Sequence, residues 1–472
     1  MSTDASLSVH PDRLFPADPG TRDIARRIYA GIADLPIISP HGHVPPQWLA
    51  DDTPFTDPTS LLISPDHYVT RLLHAAGVPL TALGVDRKPL TEEQSRRAWR
   101  LFCSHWPLYR GTPVRFWMES VLHDIFGVAT RPSAATSDAI YDTIAAALAS
   151  DEFRPRALMR RFGISVLATT DDPSDDLAEH TRLRDDPDFT PRVLPTFRPD
   201  KYLEPAGRRW PDLLDTLAAA SGIDTCDYPG FIAALENRRR YFVEHGAVSA
   251  DHSHADAVTL TLEEAEASRI FTAARAGIAT EAEATALRRH LLVEMARMSV
   301  EDGLVMTLHP GVFRNHHAPT AQQFGPDTGH DIPVAGEYTS GLRHLLDRFG
   351  TAEGFHLVLF TLDEATLSRE IAPLAGFYPS VYIGAPWWFL DAPEAARRFR
   401  GAVTETAGFS RTSGFIDDTR AFCSIPARHD MARRVDSGYL AELVVSHRLD
   451  LDEAIETAAD LVLAQPRKAF KL

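Results

Sequence analysis

The stretch Leu35-Pro36-Ile37-Ile38-Ser39-Pro40-His41-Gly42-His43 decides how the rest of this chain is read. It is a short apolar run that ends in His-Gly-His. Alternate residues of a strand point to one side. Both imidazoles therefore leave the strand end on the same face, spaced to share a metal ion. Any His-x-His in a surface loop has the same spacing, so the reading depends on what the remaining strands deliver to the same place.

Outward from this run, short apolar or β-branched segments recur, each followed by polar residues and separated by stretches long enough for helices. There are eight: Leu35 to Ser39, Ile164 to Thr170, Arg192 to Phe197, Ala247 to Ser249, Leu304 to Leu308, His356 to Leu362, Val381 to Ile383 and Gly414 to Ile416. Glu263 to Arg275, Glu281 to Met298, Glu337 to Arg348, Ala392 to Glu405 and Leu440 to Leu463 read as amphipathic helices. Strand alternating with helix predicts a parallel sheet, and eight such units predict an α/β fold of the (β/α)8 TIM type, with functional residues at the C-terminal strand ends.

The first connection is too long for one crossover, since about 125 residues separate the first two runs. Within it Tyr68 to Ala76, Glu92 to His105, Phe116 to Phe126 and Asp138 to Ala149 have helical periodicity. The aromatic residues Trp99, Phe102, Trp106, Tyr109, Phe116 and Trp117 predict a packed core there. The expected organisation is an N-terminal helix and first barrel strand over 1–44, an inserted helical subdomain over 45–160, and the rest of the barrel with C-terminal helices over 161–472.

Of 472 residues, 44% are hydrophobic, enough for a large core. Lys and Arg total 48 against 65 Asp and Glu, a formal charge of −17 that disfavours nucleic acid and anionic membranes as partners. An anionic substrate would need a local cationic pocket. Cys103, Cys226 and Cys423 lie far apart without CxxC spacing, which argues against disulfides or a cysteine zinc site. Residues 1–30 lack an apolar leader core, and there is no run of about 18 apolar residues; a cytoplasmic protein is expected. Homo-oligomerisation is common at this size.

The residues after the eight runs form a non-random set: His41 and His43; Asp171 and Asp172; Arg198; Asp251, His252 and His254; His309; Asp363 and Glu364; Trp387 and Trp388; Asp417, Asp418 and Arg420. Runs ending repeatedly in His, Asp and Arg are what a barrel-mouth active site requires. His41 and His43 supply neutral nitrogen ligands, and Asp418, on the strand that neighbours the first when the barrel closes, supplies an anionic oxygen. Zn is the first candidate for this one divalent ion, although Mn, Fe and Co suit the donors about equally. Three alternatives stand beside this set. His252 and His254 share the i, i+2 spacing. Asp417 would replace Asp418 after a one-residue slip. Asp171 and Asp172 would serve simply as N-caps of the next helix. The adjacent His316 and His317 read as loop residues, and His429-Asp430 as the start of a surface helix.

Taken together, several segments carry a resemblance to the uronate isomerases, a divergent branch of the amidohydrolase superfamily. These are the opening run through His43, Asp66-His67-Tyr68, Thr169-Thr170-Asp171-Asp172-Pro173, Leu194 to Asp200, Asp251-His252, Leu308-His309-Pro310-Gly311, Arg314-Asn315, Trp387-Trp388-Phe389 and Asp418-Thr419-Arg420. The chain resembles that family over nearly its whole length. The resemblance implies isomerisation of glucuronate or galacturonate to the corresponding keto-uronate. It also implies that Tyr68, Arg198, Asp251, His309, Trp387, Trp388 and Arg420 occupy active-site positions.

The chemistry agrees. An aldose-ketose shift moves a proton between adjacent carbons through an enediol and needs a placed acid/base and oxyanion stabilisation. Asp418 is the candidate acid/base, with His309, Tyr68 and Asp251 as further catalytic candidates. The planar fork of Arg198 and Arg420 suits a uronate carboxylate, with ion pairing at the barrel rim the alternative for Arg198. His67, Trp387 and Trp388 would line the substrate, His67 and Tyr68 from an insert that caps the pocket. The other reading, a mononuclear metal-dependent hydrolase, would use metal-bound hydroxide. The superfamily's usual bridging lysine and sixth-strand histidine are replaced here by Ala250-Asp251-His252 and Thr361-Leu362-Asp363-Glu364. A catalytically silent sugar-acid-binding protein would keep the arginines yet tolerate loss of Asp418.

Overall fold

The protein is described from a computed structural model covering residues 6–86 and 89–472. Strands β1 (Ile37–Ser39), β2 (Ile164–Ala168) and β3 (Arg192–Leu194) pair in parallel in that order. Strands β4 (Thr196–Phe197), β5 (Ser249–His252) and β6 (Val305–Leu308) continue in parallel. β7 (Val312–Phe313) and β8 (Ile332–Pro333) form a small antiparallel hairpin outside the barrel. β9 (Leu357–Leu359) pairs with β6, and β10 (Val381–Ile383) with β9.

The third expected run is split into β3 and β4 at Pro195, which has no N–H to donate to a ladder. Asp171 bridges to Phe197 and carries the sheet across that break. The fourth run begins two residues later than expected, placing Asp251 and His252 inside β5. The eighth run, Gly414 to Ile416, is not a paired strand. Gly414 takes φ +73°, off the extended path a ladder needs. The passage still closes the ring: Thr412 bridges to Ile383, the Ser413 N–H donates to the Ile383 carbonyl at 2.8 Å, and the His43 N–H donates to the Thr419 carbonyl at 3.1 Å. The result is the (β/α)8 architecture, whose parallel strands are buried on both faces and so read as nearly continuous apolar runs.

The insert contains the helices His67–Ala75, Glu92–Ser104 and Ser137–Leu148, each within a residue of the predicted range, and Pro113–Ser120, which starts three residues before the predicted Phe116 and continues as a π-helical turn over Val121–Ile125. Trp99, Phe102, Trp106, Tyr109 and Trp117 are fully buried and their apolar cluster runs without interruption into barrel residues such as Ile37 and Val305.

Two helix readings need correction. Leu440 to Leu463 is not one helix: the helix Ile425–Val445 ends, and a new one, Leu451–Ala459, starts at an Asp450/Glu453 capping box. Glu337 to Arg348 is helical only over Arg343–Phe349, because the Glu370 carboxylate takes the N–H groups of Tyr338 and Thr339 into a turn. His429 belongs to no surface helix start. It lies buried within Ile425–Val445, its Nε2 3.0 Å from Asp417 Oδ2. Asp171 and Asp172 do not cap the following helix, Ala178–Arg184. The Asp171 carboxylate, pushed up to about 7 by burial, accepts from the Thr169 hydroxyl and the Thr196 N–H, while Asp172 accepts from the Ser174 N–H.

Candidate active site

A cavity of about 300 Å³ opens at the C-terminal ends of the strands. Its wall includes His41, His43, His67, Tyr68, Arg198, His309, Trp387, Trp388, Asp418 and Arg420. Strand ends more than 370 residues apart in sequence thus converge, as barrel closure requires. Asp251 stands one layer behind. It is 1% exposed, accepts from the Thr307 hydroxyl at 2.5 Å, and lies 2.9 Å from His309 Nε2 and 3.4 Å from Arg198 Nη1.

Asp418 Oδ1 is 3.4 Å from His41 Nε2 and 3.0 Å from His43 Nε2, and it is buried without a hydrogen-bond partner. Among the described residues, these are the three metal-capable side chains whose ligand atoms all lie within 4.8 Å of one another. Burial pushes His43 down to about 4, keeping it neutral and able to ligate. Burial opposes ionisation of Asp418, yet His41 and His43 hold its carboxyl well below the usual carboxylate range. The donor set, two imidazoles and one anionic oxygen without a partner, fits a divalent cation. The rival His252 and His254 form no such cluster: His252 Nδ1 lies 3.0 Å from the Thr307 carbonyl, turned into the sheet. The register that brings in Asp418 turns Asp417 the other way, onto His429.

Three residues of the wall hold left-handed backbone without being glycine, Asp327 at φ +61°, Trp388 at φ +49° and Asp418 at φ +41°. Such conformations persist where the surroundings over-determine them, commonly at working sites. Tyr68 stacks on His67 at 4.8 Å, edge-on to Trp117, and burial raises its hydroxyl far above the ordinary value, so it stays a proton donor. Burial, with Arg420 and Arg71 adding to it, lowers His67 to about 3. Trp387 packs against His309 at 5.0 Å, and Trp388 lies under the Arg314 guanidinium. Arg198 lines the cavity while its Nε donates to Asp200 at 2.8 Å, so the ion pair does not take the residue out of the cavity wall.

Sequence reasoning gave no site role to Arg314, Asp327 or Thr170, which share this wall. Arg314 ends the β7 arm of the hairpin, and Asp327 lies on the loop leading to β8. Arg314 was visible in the Arg314-Asn315 motif. No periodicity or spacing marked Asp327.

Fold and site together define a barrel-mouth enzyme whose pocket gathers imidazole, carboxylate and guanidinium groups. Residues 20–470 match the family model described as glucuronate isomerase. The uronate isomerase of Cutibacterium acnes is 57% identical over 472 residues, covering all of both chains. The crystal structure of glucuronate isomerase from Caulobacter crescentus superposes with a TM-score of 0.96 at 47% identity, covering 99% of this chain and 98% of that one. The uronate isomerase from Thermotoga maritima gives 0.92 at 27% identity, covering 98% and 99%. The chain belongs to the glucuronate isomerase family.

Proposed function

We propose that this protein interconverts D-glucuronate with D-fructuronate, and D-galacturonate with D-tagaturonate, in the open-chain form of the sugars. The observation that carries the reading is that an ionised Asp418 and the guanidinium groups of Arg198, Arg314 and Arg420 line one cavity of about 300 Å³. Such a pocket can both accept a proton and pair with a carboxylate.

In the reaction, the Asp418 carboxylate takes the proton from C2 and returns it to C1, while the O2 hydroxyl proton passes to O1. Tyr68, held protonated, donates to the oxygen that gains negative charge at the enediolate. His309 donates Nε2–H to Asp251, which leaves Nδ1, without a partner, as the acceptor for the sugar hydroxyl proton. The tryptophans exclude water from the apolar side of the sugar. His41, His43 and Asp418 would hold a divalent ion, Zn first among the candidates, and when bound it supplies positive charge that polarises the carbonyl and hydroxyl oxygens.

Incubation with each aldose in heavy water, followed by proton NMR, is expected to yield the keto-uronate with deuterium partly incorporated at C1. Failure of a folded, metal-loaded sample to convert either sugar would refute the reading.

For the metal, one divalent ion per chain is expected on titrating chelated protein with Zn²⁺ and measuring bound metal after desalting. His43→Ala should abolish that stoichiometric binding. Full occupancy in the variant would place the ion elsewhere.

A further inference from the structure

The reaction scheme assigns no task to Asp327, yet its carboxylate lines the pocket in contact with two of the three arginines. Its Oδ2 accepts from Arg420 Nη2 at 2.9 Å, and its Oδ1 lies 3.4 Å from Arg314 Nη1. The three arginines differ in what else holds them. Arg198 pairs with Asp200 at 2.8 Å and faces Asp251 at 3.4 Å. Arg314 keeps the deeply buried Asp331 at 3.1 Å whether or not Asp327 is there. For Arg420, Asp327 is the carboxylate partner among the described residues.

The place of this pair in the molecule matters as much as its contacts. Asp327, Arg420, His43 and His67 line the active-site cavity on one side, and on the other a second cavity of about 590 Å³ between the insert and the barrel loops. The Asp327–Arg420 pair is therefore within reach of an anion in either cavity. Asp327 is carried on the loop after Gly325, between two residues of positive φ (Gly325 at +82° and Gly329 at +92°), and is itself at +61°. Its side chain is 32% exposed, so it can turn from Arg420 to water, which solvates the freed carboxylate.

We propose that Asp327 is a specificity-determining residue: its carboxylate is the resident counter-ion of Arg420, and the carboxylate of the sugar acid binds by displacing it. The exchange trades one carboxylate–guanidinium pair for another. A ligand without a carboxylate cannot make that trade and would leave Arg420 where Asp327 holds it. Asp327 therefore weakens binding of the acid while strengthening discrimination against neutral sugars. This inference rests on a uronate being the substrate.

The test is calorimetric titration of wild type, D327N and D327G with D-gluconate, an open-chain sugar acid with no aldehyde to isomerise. Asn and Gly both accommodate a φ of +61°. Both variants are expected to bind gluconate roughly fivefold more tightly than wild type, the worth of one partly exposed ion pair. The KM for D-glucuronate should fall in parallel. Unchanged or weaker gluconate binding in both variants would overturn the assignment, and so would an absence of binding to all three proteins. Tighter gluconate binding in variants of a protein that isomerises neither uronate would instead keep Asp327 as the counter-ion and remove the isomerase reading.

Discussion

Asp418→Asn is expected to lower turnover of D-glucuronate by roughly 10²- to 10⁴-fold, the usual worth of a positioned acid/base, while leaving the fold intact. The substitution keeps the size of the side chain and its capacity to accept a hydrogen bond, and it removes the negative charge that receives the C2 proton. Asp418 is held ionised by His41 and His43 despite its burial, so the wild-type group is poised to accept rather than to donate. The same change removes the anionic oxygen of the proposed metal set, so bound metal must be measured beside the rate. A metal-replete D418N with the predicted loss isolates the proton-transfer role. Near-wild-type turnover in a folded D418N would remove Asp418 from the proton path, whatever its metal content. Deuterium exchange at C2 should fall with turnover, because both depend on the same abstraction.

The barrel was legible because buried parallel strands announce themselves as apolar runs, and β1, β2, β6, β9 and β10 all fall within runs read from the sequence. The eighth passage was harder, since closure there depends on single bridges around Gly414 rather than on a ladder. The helix Ile425–Val445 escaped for the opposite reason. It is buried on nearly every side, including Arg428, His429, Arg433 and Arg434, so the alternation that marks an amphipathic helix is missing. Reading His429-Asp430 as surface followed from that: a charged pair suggests solvent unless its partners, Asp417 and Arg434, are already known to be near.

The site divides along the same line. Groups at strand ends were found because barrel geometry says where strand ends go. Asp327 follows the short helix Ala318–Phe324 in the connection between two hairpin strands of two residues each, and only the folded chain brings it to Arg420.

The second large effect concerns stability. Arg428→Met is expected to destabilise the fold by about 3–5 kcal/mol, the cost of breaking a buried ion pair from one side. Arg428 is fully buried, its Nη1 donates to Asp391 Oδ2 at 2.5 Å, and its Nε donates to Ser424 Oγ at 3.0 Å. Its guanidinium lies 3.6 Å from the Trp117 ring centroid and 4.8 Å from that of Tyr68. Met fills much of the same volume, so the loss comes from the charge left behind. Burial already pushes Asp391 up to about 7 even with Arg428 opposing it. Without Arg428 the folded-state value rises further above the unfolded one. A carboxyl raised on folding favours the native state at low pH and ceases to do so as pH rises through the folded value. The deficit of R428M, read as a shift in urea midpoint, should therefore be larger at pH 8 than at pH 5. R428M/D391N, which removes both charges, should recover most of it. A wild-type midpoint for R428M at pH 8 would show that the pair is not a stabilising unit. The double variant also separates folding from function. Arg428 holds Tyr68 and Trp117 of the insert against the Trp387–Asp391 loop and the Asp417 carbonyl at 3.5 Å. Thus a variant that recovers stability but not turnover would assign the pair the task of fixing Tyr68 and Asp418 across the pocket.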